Sequence, residues 1–237
     1  MAKQSESGKT EESRIKEAYS RRPANDYRYS IFNPSQLFRI QQVERKILYS
    51  LRQLDFEPLS TKTILEIGCG TGSWLREFVS WGAKPENITG IDLLPERVTQ
   101  AKQFSPATMT IRCGNASQLA LPDAAFDLVF QSTVFTSILD GRTKQQIAGE
   151  MLRVVRSEGL IVWYDYHVNN PSNPDVRAVK KREIHELFPR CDIELHRTTL
   201  APPLGRWIAP RSWLLACLLE NIPFLCTHYI GIIRKTD

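Results

Sequence analysis

Three glycines at alternate positions, Gly68, Gly70 and Gly72, separate an apolar run from an amphipathic one. Residues 63–67 are bounded by Lys62 and Gly68 and read as a buried parallel strand. Ser73 then opens a stretch with helical spacing, so the local order is strand, tight turn, helix. Such a turn lets a ligand lie against bare backbone, because no Cβ intervenes and positive φ is cheap at glycine. The helix start behind it offers unpaired N–H groups to an anionic group. A dinucleotide fingerprint requires G-x-G-x-x-G. Here the third glycine comes one residue early, and Ser73 holds the place that pattern assigns to it. Glu66 adds an acid inside the strand, two positions before Gly68.

Further candidates fall at the ends of later strands. The run 87–92 ends on Asp92, followed by Leu93. An acid at the carboxyl end of a parallel strand can accept both hydroxyls of a ribose; it can also simply cap the next helix. Gly114-Asn115-Ala116 follows the strand read over 108–112, and Gln131-Ser132 closes the strand read over 126–131. His167 follows the strand read over 159–166, on a loop expected at the same sheet edge as the glycine turn. An unperturbed histidine titrates where a general base is useful, although a hydrogen-bonded loop histidine fits the same position. No cluster of residues in the sequence makes a convincing metal-ligand set.

Leu65-Glu66-Ile67-Gly68-Cys69-Gly70-Thr71-Gly72 resembles motif I of the class I S-adenosylmethionine-dependent methyltransferases. Four later positions match as well: Asp92, Asn115, the Phe126-Asp127-Leu128-Val129 opening, and the turn from Met151 to Leu160 into the fifth strand. The resemblance is specific over 63–166 and only architectural outside it. It implies S-adenosylmethionine as cofactor and S-adenosylhomocysteine as product. Glu66, Gly68, Cys69, Gly70 and Gly72 would then form the cofactor cradle. Asp92 with Leu93 would take the ribose, Asn115 with Ala116 the adenine, and Gln131 the methionine portion. The N-terminal segment of many relatives folds over the cofactor, which implies a lid here with Tyr19 at the cofactor carboxylate. His167 is the candidate catalytic base, and the resemblance calls for no metal.

The elements that must hold these residues read as a doubly wound, seven-stranded, mostly parallel sheet of Rossmann-like type. Its last strand is expected antiparallel, between the fifth and sixth. Residues 1–34 form a flexible tail and helical lid, with disorder to about residue 12 and a short helix over 13–20. Residues 35–237 form a single methyltransferase domain. Helices are expected from Ser35 to before Pro58, then over 73–81, 95–104, 143–155 and 174–188. The final strands, 192–199 and 227–234, are separated by a helical insert over 200–226. Its apolar face is suited to core packing, an acceptor-pocket wall, a membrane surface or a dimer contact.

With 42% hydrophobic and 24% charged residues, the 237-residue chain has the composition of a globular α/β domain. Its net charge of +5 raises the question of nucleic acid, yet the basic residues are scattered, which weighs against such a partner. Five cysteines without C-x-x-C spacing fit a reducing, cytoplasmic setting. No run is apolar and long enough for a transmembrane segment. The expected partner is a small-molecule methyl acceptor, and the chain a monomer or homodimer. The Asp/Asn-Pro-Pro-aromatic motif that serves amide and ring nitrogens is absent, since Gln131-Ser132-Thr133-Val134 stands in its place. That favours a hydroxyl of a natural product or glycan, with N- or C-methylation of a small molecule, or an RNA or protein acceptor, as the alternatives.

Overall fold

A computed structural model of the chain describes residues 10–21 and 26–236. Seven strands form one sheet: β1 (Ile64–Ile67), β2 (Ile88–Asp92), β3 (Thr110–Cys113), β4 (Phe126–Ser132), β5 (Val155–Tyr166), β6 (Cys191–Leu200) and β7 (Cys226–Lys235). Their spatial order is β3-β2-β1-β4-β5-β7-β6. The first five run parallel, and β7 inserts antiparallel between β5 and β6, as expected. All four residues of β1 are buried, which explains its unbroken apolar pattern at the centre of a two-faced sheet.

Helices cover both faces. On one lie α2 (Pro34–Gln53), α3 (Ser73–Ser80) and α4 (Pro95–Phe104), packing Val43, Ile47, Phe78 and Val98 onto Ile64, Leu128 and Val162. On the other, α5 (Gly141–Val154) and α6 (Lys181–Leu187) place Ile147, Met151 and Ile184 against Leu65, Val129 and Trp163. Asn33 caps α2, its side chain accepting from the Ser35 N–H, and Pro34 fills the first turn. The insert folds as α7 (Pro202–Ile208) and α8 (Trp213–Leu219), whose inner side chains join Phe38 of α2 in a third apolar cluster.

Some boundaries depart from the sequence reading, among them β5, which begins at Val155 and not at 159. The lid helix α1 spans Glu11–Ser20, starting earlier because Thr10 caps it and acids occupy its first turn; the rest of the expected tail, residues 1–9, and residues 22–25 lie outside the described residues. The helix expected over 174–188 begins only at Lys181. Residues 174–175 instead form a turn and 176–180 no helix, with Arg177 N donating to Thr136 O and Val179 N to Tyr166 O.

Candidate active site

The glycine turn is stitched to the neighbouring strand, for Gly68 N and Cys69 N both donate to Ile91 O, at 2.8 and 3.0 Å. Gly68 has φ +68°, and a Cβ there would lie 2.4 Å from Val134 Cγ2. Gly70 has φ +53° and meets nothing nearer than an Arg97 guanidinium nitrogen at 3.6 Å, so its missing side chain leaves open space above the turn. Two cavities meet at this elbow. One, of about 340 Å³, runs along Gly68, Asp92, Leu93, Asn115 and Ala116. The other, of about 960 Å³, is bordered by Glu66, Gly68, Cys69 and Gly70. A third, of about 200 Å³, adjoins them through Tyr19 and Thr133 and is walled by Tyr29, Arg39, Tyr166 and Val168.

Asp92 is 7% exposed and binds the turn to the next helix. Its Oδ2 accepts from Gly70 N at 2.8 Å and its Oδ1 from Leu94 N at 2.9 Å. The carboxylate thus holds the backbone just before α4, whose N-cap is Leu94, and also borders the smaller cavity. Glu66 is 1% exposed with Oε2 lacking any hydrogen-bond partner. Burial first, and then the charge of Asp92, push its carboxyl well above the usual range. Cys69 lies beside it with a thiol raised chiefly by burial, so it is inert as a nucleophile. Asn115 borders the smaller cavity, but its Oδ1 accepts from Ser117 N at 2.9 Å and its Nδ2 reaches Glu12 of α1.

Helix α1, the segment expected as a lid, lines that cavity with Glu11, Glu12, Ile15 and Tyr19. Glu11 Oε1 accepts from Leu139 N at 2.6 Å, Arg14 donates to Ser137 O at 2.6 Å, and Arg21 pairs with Asp175. Tyr19 borders all three cavities, with the Arg97 guanidinium 4.3 Å from its ring centroid and its hydroxyl 3.2 Å from Ser137 Oγ.

Two expected site residues sit elsewhere. Gln131 is fully buried and borders none of these cavities; its Oε1 accepts from Val134 N at 3.1 Å, bracing the turn after β4. Strand alternation sends it into the core, and Ser132 and Thr133 face the cavities instead. His167 also borders none of them. Its ring stacks on Tyr229 at 4.3 Å, Thr227 O accepts its backbone N–H, and burial first, then Arg197 and Lys180, lower its pKa. The antiparallel pairing of β7 with β5 draws the chain after Tyr166 to the sheet, away from the cleft.

Thr133, Arg39 and Arg97 carry no motif and were not singled out by the sequence. Thr133 holds φ +59°, a costly conformation for a β-branched residue, at the junction of the three cavities. Arg39 forms no ion pair among the described residues and donates from Nε to Gln36. The described residues contain no cluster of His, Cys, Asp and Glu arranged to hold a metal ion.

This strand order, with a glycine elbow after β1 and an acid closing β2, is the architecture of class I S-adenosylmethionine-dependent methyltransferases. Residues 65–163 match the family model described as a methyltransferase domain. The chain is 33% identical over 138 residues to the 2-methyl-6-phytyl-1,4-hydroquinone methyltransferase of Synechocystis sp., a match covering 57% of this chain and 41% of that protein. A malonyl-[acyl-carrier protein] O-methyltransferase of Serratia marcescens is 33% identical over 139 residues, covering 59% and 48%. The chain thus spans about half the length of these relatives or less. An S-adenosylmethionine dependent methyltransferase structure from Mesorhizobium loti shares the fold at TM-score 0.55 and 18% identity, over 79% of this chain and 96% of that one.

Proposed function

We propose that the chain transfers a methyl group from S-adenosylmethionine to a small-molecule acceptor, at a hydroxyl of a natural product or glycan. The observation that carries this reading is Asp92, a buried carboxylate that braces the Gly70 turn and still borders a cavity with Leu93 and Asn115. Each of its oxygens spends one acceptor site on a backbone N–H, which leaves sites for the hydroxyls of a ribose. Other residues fit the cofactor too. Gly70 offers bare backbone above the turn, and the unpartnered oxygen of Glu66 suits a cationic group at the methionyl end. Asn115 and Ala116 stand where an adenine would lie.

When bound, S-adenosylmethionine supplies a methyl group already activated on a sulfonium, so the protein's task is chiefly positioning. Tyr19 and Thr133 lie between the cofactor cavities and the smallest one, the place where donor and acceptor would meet. Arg39 and the tyrosines around the smallest cavity suit a compact polar acceptor. Tyr166 has its pKa pushed up to about 12, by burial first and then by Tyr164, so it stays protonated and serves as a hydrogen-bond donor. His167, away from the cleft, takes no part in this arrangement.

Calorimetric titration with S-adenosylhomocysteine, followed by labelled-methyl transfer to a panel of hydroxylated natural products and oligosaccharides, tests the reading. Absence of saturable binding would sink it. Transfer confined to amine or carbon acceptors would keep the cofactor and move the methylated atom.

A further inference from the structure

The insert between β6 and β7 carries an apolar surface that the core does not use. Among the described residues fourteen large hydrophobic side chains are exposed, and six of them fall between Trp207 and Phe224. Single exposed apolar residues are ordinary, whereas a cluster of this kind marks a binding surface. The inner side of α8 is accounted for, because Ala216 is fully buried and joins Phe38, Leu200 and Ile208. Its outer side presents Leu214 at 72% and Leu218 at 61% exposure, four residues apart and so on one face. Trp207 and Phe224, 62% and 78% exposed, extend the surface beyond the helix.

The charges here point to one occupant. Residues 201–226 contain three charged side chains, Arg206, Arg211 and Glu220. Glu220 accepts two hydrogen bonds from Arg45 and is 10% exposed, so its charge is neutralised. Arg206 and Arg211 are exposed, and Arg211 packs over the Trp207 ring at 5.4 Å. The surface therefore combines tryptophan and leucine with uncompensated cations. An isologous contact would set this patch against a copy of itself, and the insert's one acid, Glu220, is already taken by Arg45, so the patch offers these arginines no free counter-charge. Lipid headgroups carry phosphate, which complements them, and the indoles suit the water–lipid boundary.

We propose that the α7–α8 insert seats the protein on an anionic lipid bilayer, with Leu214, Leu218 and Phe224 entering the acyl boundary and Arg206 and Arg211 meeting lipid phosphates. No helix among the described residues is long and apolar enough to span a membrane, so the attachment is peripheral. The surface adjoins the cleft. Trp213 of α8 packs edge-on against Phe38 at 5.1 Å, and the next residue of α2, Arg39, borders both the larger and the smallest cavity. Resting on the methyl-transfer reading above, this placement points to an amphiphilic acceptor whose compact polar head enters the smallest cavity while its apolar part stays in the lipid phase.

The test is co-sedimentation of the full chain with vesicles of phosphatidylcholine alone and with about one third phosphatidylglycerol, at low and raised salt. The wild type is expected to bind the mixed vesicles and to release as salt rises. Leu214→Ser/Leu218→Ser should weaken this binding by about tenfold or more. Arg206→Gln/Arg211→Gln should cost about fivefold per residue on the anionic vesicles alone. Both variants should keep the wild-type affinity for S-adenosylhomocysteine, which separates a failure here from a failure of the methyl-transfer reading. Absence of wild-type binding to the mixed vesicles overturns the proposal. So does a homodimer in sedimentation velocity that the double serine variant dissolves, since the face would then be a contact between copies.

Discussion

Asp92 does two jobs with one carboxylate, and its substitution should therefore show in two measurements. Removing it leaves the N–H groups of Gly70 and Leu94 without their acceptor, which costs about 1–3 kcal/mol of stability. It also removes the acceptor that the proposed function assigns to a ribose. Asp92→Ala is expected to lower S-adenosylhomocysteine affinity about 100-fold in calorimetry and to lower the urea midpoint as well; unchanged affinity would remove it from the nucleoside site. His167→Ala makes the opposite case. A general base is worth about 100-fold or more in turnover, yet this ring stacks on Tyr229 outside the cleft, so the expected result is some loss of stability and a near wild-type rate. These two residues show what a motif can and cannot convey. Asp92 and the glycines were legible because their chemistry is tied to one strand–turn–helix. The placement of His167 away from the cleft depends on which strand pairs with β5, and the turning of Gln131 into the core, with Ser132 toward the cavities, depends on strand parity at the end of β4. Arg39 and Thr133 reach the cleft only once distant elements close around it.

At the scale of elements, α1 is the part whose attachment can be tuned without touching the glycine turn. Three contacts of α1 bear on the segment after β4 and on the loop near Asp175: the Glu11 carboxylate on Leu139 N, Arg14 on Ser137 O, and the Arg21–Asp175 pair. Glu11 also accepts two bonds from Arg14 and so fixes it for Ser137. A charge-assisted bond of this kind is worth about 1.5–3 kcal/mol. Glu11→Ala should therefore accelerate S-adenosylhomocysteine release by about tenfold in stopped-flow fluorescence, with little change in the rate of association. An unchanged off-rate would mean that α1 does not gate the cavity. A short helix over 13–20 was expected from the sequence, while its docking was not, because the partners lie more than a hundred residues away. The segment 174–180 shows the reverse error. Its composition permits a helix, but bonds to Thr136 and Tyr166 tie it down, and tertiary pairing overrides local preference.

Across the whole molecule, the antiparallel end of the sheet seals polar groups inside a core that acid should open. His228 is fully buried between Tyr164 and Tyr166, with ring centroids at 4.8 and 3.7 Å. Burial above all, with the charges of Arg39 and His167, drives its pKa well below the usual value near 6.5. The folded chain then refuses a proton that the unfolded chain takes below about pH 6.5. Stability from this source is complete above that pH and falls as pH drops, by up to about 1.4 kcal/mol per unit. Asp165 works in the other direction. Its buried carboxyl is raised to about 7, chiefly by desolvation, so the fold holds a proton that the unfolded chain releases near pH 4, and that contribution fades as pH rises through about 7. The two slopes oppose each other, and the wild-type curve alone cannot separate them. A single substitution can. His228→Phe keeps an aromatic ring between the tyrosines and abolishes the titration, so its stability relative to wild type should improve by about 1 kcal/mol per pH unit from 6.5 to 5.5. Urea unfolding of both proteins at pH 7.5, 6.5 and 5.5 measures this, and a difference independent of pH would mean that the histidine is not held neutral by the closed end of the sheet.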